Sequence, residues 1–135
     1  MLFRLTVSAL AGVVLSARVA SAQVPAPDIS KQIIGTWQGP YQSESVPPGS
    51  LKLVIARDAT GWKVTMDVIS DQPPPVGDIK DFAVDKGTLS WSQDIQDMNC
   101  KSTATLVSGV LKGSAECSQG GAVVLTATFL LEKKG

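Results

Sequence analysis

The sequence has no histidine. That removes the imidazole on which Ser–His–Asp and Cys–His nucleophilic catalysis depends, and it takes away the commonest nitrogen ligand of zinc. Cysteine is scarce, with Cys100 and Cys117 alone and no C-x-x-C spacing between them, so a thioredoxin-like redox role has no motif to rest on. Charge of one sign is also missing: 12 basic residues balance 12 acidic ones. No basic stripe marks a nucleic-acid or anionic-membrane surface. The longest apolar run is Leu5 to Leu15, shorter than the roughly 20 residues a bilayer span needs. No amphipathic helix of useful length is visible. The expectation is a chain that is not an enzyme, with no cofactor, no metal, no nucleic-acid partner and no membrane span once a leader is removed.

A leader is the first thing the residues do show. Met1-Leu2-Phe3-Arg4 is a short basic start, the apolar run follows, and Ala20-Ser21-Ala22 precedes Gln23. This is the three-part layout of a secretory signal peptide over 1–22, cut after Ala22. The expected location is therefore periplasmic or secreted, where two thiols pair. Losing Arg4 and Arg18 tips the mature chain to a slight acidic excess. Residues 23–33, which include Pro25 and Pro27, read as a flexible lead-in, and 34–135 as a single domain.

Short apolar alternations at even spacing, separated by turn residues, predict an all-β domain. The expected architecture is an antiparallel up-and-down meander of about eight strands, a barrel or flattened barrel. Strands are expected over roughly 34–42, 50–57, 62–69, 79–84, 88–93, 99–107, 110–117 and 123–132. The second sets Leu51, Leu53 and Ile55 against Lys52, Val54 and Ala56; the third sets Trp62, Val64, Met66 and Val68 against Lys63, Thr65 and Asp67. Period two with one apolar face marks a sheet wet on one side. Asp58-Ala59-Thr60-Gly61 and Asp85-Lys86-Gly87 each end in the glycine that a positive-φ turn position favours. Pro73-Pro74-Pro75 cannot supply ladder hydrogen bonds, so 70–77 must be a loop.

Ser108-Gly109 is a two-residue hairpin loop that fixes a register. Seven steps outward from the Val107–Val110 pair, the two strands reach Cys100 and Cys117. The cysteines therefore stand directly opposite and form one cross-strand disulfide, with Cα atoms about 4.5 Å apart. The same register sets Lys101 against Glu116, Thr103 against Ser114, and Leu106 against Leu111, all favourable cross-strand pairs.

Several segments occur in a familiar order. Ile34-Gly35-Thr36-Trp37-Gln38-Gly39 comes first, then Leu51-Lys52-Leu53-Val54-Ile55, Gly61-Trp62-Lys63-Val64-Thr65-Met66-Asp67 and Ser70-Asp71-Gln72. Gly87-Thr88-Leu89 and Ser118-Gln119-Gly120-Gly121 before Leu125-Thr126 complete it. The order resembles a lipocalin-like small β-barrel domain of exported bacterial proteins, the kind also found ahead of α/β-hydrolase domains. The Gly35-x-Trp37 pair is similar to the first-strand signature of lipocalins, and the resemblance implies that Trp37 plugs one end of the barrel. The chain departs from lipocalins in its shortness and in lacking a C-terminal helix, and it carries no hydrolase domain, so no catalysis is borrowed. Its cysteine pair and triple proline are not expected of the family.

Carboxylate pairs are the remaining candidates for chemistry. Asp78 with Asp81, and Asp94 with Asp97, read as solvated loop charges; the second pair lacks the loop pattern and central glycine of a calcium site. What remains is the interior. Trp37, Leu53, Val64, Met66, Phe82, Trp91, Leu106 and Phe129, with Leu89, Leu111 and Leu125, are the expected inward set and the candidate ligand-lining or core residues. An eight-stranded barrel is either filled by such side chains or holds one small ligand. The first expectation is a non-catalytic exported module binding a small apolar molecule there. The alternative is a protein-interaction module, such as an exported inhibitor of a peptidase or wall-degrading enzyme. It would act through rigid loops at 43–49, with Pro47 and Pro48, and at 70–77, with Pro73, Pro74 and Pro75.

Overall fold

The computed structural model describes residues 28–134; the expected signal peptide, 1–22, and the start of the lead-in, 23–27, lie outside the described residues. Eight antiparallel strands follow one another: β1 (Gly35–Gln42), β2 (Gly49–Asp58), β3 (Gly61–Ile69), β4 (Lys80–Asp85), β5 (Thr88–Ile95), β6 (Met98–Val107), β7 (Val110–Gln119) and β8 (Ala122–Lys134). They form one sheet in the order β3-β2-β1-β8-β7-β6-β5-β4. The first and last strands pair along Thr36↔Lys134 to Gln42↔Thr128. The meander is thus rolled into a nearly closed barrel, with one unpaired seam between β3 and β4.

Each expected alternation becomes an inside and an outside. Leu51, Leu53 and Ile55 of β2 are buried while Lys52 and Ala56 are exposed. Leu53, Leu89, Leu111 and Leu131 are completely buried, and Trp37, Trp91 and Phe129 nearly so. At about 1.5–3 kcal/mol for a fully buried large apolar side chain, this inner layer is what holds the barrel. Two glycines let aromatic rings lie flat on the wall. Phe129 covers Gly113, where a Cβ would come within 2.6 Å of the ring, and Tyr41 covers Gly49.

The β6–β7 hairpin has the expected register throughout: Val107↔Val110, Leu106↔Leu111, Thr103↔Ser114, Lys101↔Glu116 and Cys100↔Cys117. Ser108 and Gly109 both take positive φ, as a type I′ turn requires. Cys100 and Cys117 are disulfide-bonded with Cα atoms 3.9 Å apart. At the β4–β5 turn the positive φ falls on Lys86, at 59°, and not on Gly87, which corrects the expectation there.

The lead-in also differs from its expectation. Ile29 and Ile33 are buried in the core. Asp28 accepts from the Ser30 amide and hydroxyl, and Ile29 O accepts from the amides of Gln32 and Ile33. Residues 28–33 therefore make one capped helical turn. Trp37 Nε1 donates to Ile33 O at 2.8 Å, and Lys133 Nζ donates to Gln32 O while lying 5.7 Å over the Trp37 ring. Turn and tryptophan together stop the end of the barrel where β1 begins.

The seam is closed by side chains. Toward the stopped end, Trp62 of β3 meets Phe82 of β4 edge-on at 5.3 Å, and Arg57 lies 4.6 Å over Trp62. The row continues through Trp91 to Phe129 at 6.3 and 6.2 Å. Toward the other end, Gln93 of β5, buried at 2% exposure, donates from Nε2 to Met66 O of β3 (3.1 Å) and to Gly77 O (2.8 Å). The 75–77 stretch takes β4's place beside β5 through Gly77 N→Asp94 O, Gln96 N→Pro75 O and a Val76↔Ile95 bridge.

Candidate functional site

The barrel is filled at one end and hollow at the other, and side-chain volume decides which. Near the stopped end the inward positions hold Trp37, Leu53, Ile55, Leu89, Leu111 and Leu131, all buried. Toward the opposite end, β6, β7 and β8 turn small residues inward: Ser102 faces Ala115, and Ala115 faces Ala127. These cannot fill the bore. A cavity of about 620 Å³ results, within the range of roughly 300–1,000 Å³ typical of small-molecule sites.

Its floor and lower wall are Phe129, Met66 and Leu51; higher up stand the Cys100–Cys117 disulfide, Leu125, Val68 and Met98. Ser102, at 4% exposure, puts a buried hydroxyl on this wall. The cavity wall on β6 runs from Met98 to Ser102, a depth of roughly 13 Å at about 3.3 Å per residue. The rim is made by Tyr41, by Val46, Pro47 and Pro48 of the β1–β2 loop, and by Ser70, Asp71, Gln72 and Pro74 of the β3–β4 loop. Both proline-bearing loops are thus parts of the mouth.

Of the residues singled out in the sequence, Met66, Leu125, Phe129, Pro47, Pro48, Pro74, Cys100 and Cys117 come together around this cavity. Trp37, Leu53 and Trp91 are buried outside its lining, and Val64, Phe82 and Leu106 pack half-buried against the core. Pro73 and Pro75 are exposed outside the lining. Sequence reasoning missed Leu51, Val68, Ser102, Ala115 and Ala127 as cavity residues. The signal for the last three was present, as small side chains at inward positions of consecutive strands.

The carboxylate cluster lies elsewhere. Asp94, Asp97, Asn99 and Lys101 border an open polar groove with Ser118 and the Gly120-Gly121 turn. Asp94 accepts from Asn99 Nδ2 at 3.1 Å and pairs with Lys80 Nζ at 3.3 Å. The Asn99 amide, and then the Lys80 ammonium, hold its carboxyl below the usual carboxylate range. A carboxylate so fixed in its ionised form is a poor proton donor near neutral pH.

Two buried polar atoms lack partners among the described residues: Trp91 Nε1 and Gln93 Oε1. They lie two residues apart on β5, and Trp91 pairs with Ser102 and Gln93 with Cys100. Both residues lie outside the cavity lining, on the strand next to the one that carries Ser102 and Cys100. No protein-family model matches the chain, and no curated protein matches it in sequence.

Proposed function

We propose that this protein is a non-catalytic binding module that holds one small, mainly apolar molecule in the open half of a lipocalin-like barrel. The observation that carries the reading is the cavity of about 620 Å³, walled by Leu51, Met66, Val68, Leu125 and Phe129 and open at a formed mouth. Sites of this kind gain affinity from apolar burial and direction from a few polar groups, here Ser102 within and the rim above. The proline-rich loops serve the mouth: Pro47, Pro48 and Pro74 give it a rim that loses little entropy when a guest enters. An exported location belongs to the same proposal. The N-terminal signal pattern supports it, and the disulfide is compatible with an oxidising compartment.

The test is to fill the cavity. Ala115→Phe places a ring in the bore from a half-buried position on β7. The native protein should take up an environment-sensitive apolar dye and release it to competing apolar guests, while folded Ala115→Phe should lose at least tenfold in affinity (~1.4 kcal/mol). Equal dye binding by both proteins would place the dye elsewhere and remove the reading.

A further inference from the structure

We infer that the guest carries a positive charge at the end left at the mouth: a cationic amphiphile, with its apolar tail in the bore. The inference rests on the cavity reading above and adds the class of ligand. It comes from how the topology sorts charge. The mouth is built from the loops 43–48, 70–79, 96–97 and 120–121. Together they carry Glu44, Asp71, Asp78 and Asp97 and not one lysine or arginine. Two cations flank these loops: Lys80 at the start of β4 is paired with Asp94, and Lys101 borders the neighbouring groove with Asp97. Lys101 stands opposite Glu116 on the neighbouring strand. The stopped end is mixed and on balance basic, with Lys31, Lys86, Lys112, Lys133 and Lys134 around it beside Asp28, Asp58, Asp85 and Glu132.

Among the described residues Asp71 is the only charged one in the cavity lining, and it sits at the rim beside Ser70 and Gln72. Among the described residues no cation lines the bore or rim to receive a carboxylate or phosphate, so a fatty acid entering tail-first would leave its anionic head beside a like charge. A head of positive sign meets Asp71, with Tyr41 also at the rim to offer an aromatic face. Loops of one sign also raise the local concentration of oppositely charged molecules, an effect that salt weakens.

The test is a charge series on one tail: dodecyltrimethylammonium and dodecanoate, each below its micelle concentration, and 1-dodecanol, below its solubility limit, are titrated into the disulfide-bonded protein. One carboxylate a few ångströms from the head, in water, changes affinity about fivefold, upward for a cation and downward for an anion. At low salt the cation should bind about tenfold or more tighter than the anion, with the alcohol between. The ratio should shrink in about 0.5 M salt and in Asp71→Asn, and persist in Asp71→Glu. Dodecanoate binding as tightly as the cation, or a ratio indifferent to Asp71→Asn, would overturn the charge inference while leaving the cavity reading standing. Failure of all three, the neutral alcohol included, would overturn the cavity reading and this inference with it.

Discussion

Gln93 is where the barrel's one gap in hydrogen bonding is closed, and replacing it separates two physical effects. In Gln93→Leu the volume is nearly kept, but Met66 O and Gly77 O lose their donor. A buried acceptor left unpaired costs roughly 1–3 kcal/mol. Gly77 is exposed, so water can replace its bond; Met66 is buried and has no such recourse. Against this, the substitution removes Gln93 Oε1, which is buried without a partner, and so returns part of the loss. The net expectation is a destabilisation of about 1–2 kcal/mol, or about 5–10 °C in Tm for a domain of this size. Gln93→Glu keeps the shape but turns an amide donor into a carboxylate oxygen facing two carbonyls. It should cost about 3 kcal/mol or more, and the cost should ease at low pH, where a protonated carboxyl can donate to one of them. Urea and thermal unfolding, with hydrogen exchange along β3, measure all of this. The reasoning is refuted if Gln93→Leu stays within about 0.5 kcal/mol of the native protein, or if Gln93→Glu is the milder change.

Other consequences of the structure can be measured in the same assays. Gly113→Ala sets a methyl against the Phe129 ring and the Thr103 carbonyl, and should cost about 1–3 kcal/mol in urea unfolding. Opening the Cys100–Cys117 bond by double alanine substitution should cost about 2–3 kcal/mol, somewhat less than loop entropy alone suggests, since the Ser108-Gly109 turn already restrains the hairpin. Asp28, Asp58 and Asp94 each have a carboxyl held below its ordinary value, first by side-chain hydrogen bonds from Ser30, Thr60 and Asn99 respectively. A depressed folded pKa adds stability that is fully present above the unfolded value of about 3.9 and lost as pH falls through the folded one. Tm should therefore fall below about pH 4, and Asp94→Asn should flatten part of that fall in thermal scans.

The local parts of this fold could be read from the chain because their causes are local. Alternation set the faces of β2 and β3, and the two-residue Ser108-Gly109 loop set the hairpin register down to the cysteines. Closure could not be read, because β1 and β8 are joined by no turn and their pairing depends on the accumulated twist of the strands between. Residues 28–33 read as part of a flexible lead-in because two isoleucines among polar neighbours make no period; their burial depends on the end of the barrel that they cover. The place of the cavity within the barrel is hidden for a different reason. Hydrophobic type does not show it; side-chain volume does, since Ala115 and Ala127 are apolar inward residues too small to fill the bore. Gln93 falls on the inward face of β5 and reads as a break in the apolar pattern; only the unpaired edge of β3 shows what it is for.

Two methionines, Met66 and Met98, are the only ones beyond Met1, and both line the cavity. Their methyl groups are therefore a direct report on its contents. With ¹³C-methyl-methionine in the folded, disulfide-bonded protein, titration of 1-dodecanol should move both methyl signals along one saturable curve. The indole signal of Trp37, at the stopped end, should stay in place. Methionine signals that do not move while the alcohol is shown to bind, or a response confined to Trp37, would contradict the claim that the open half of the barrel is the binding site.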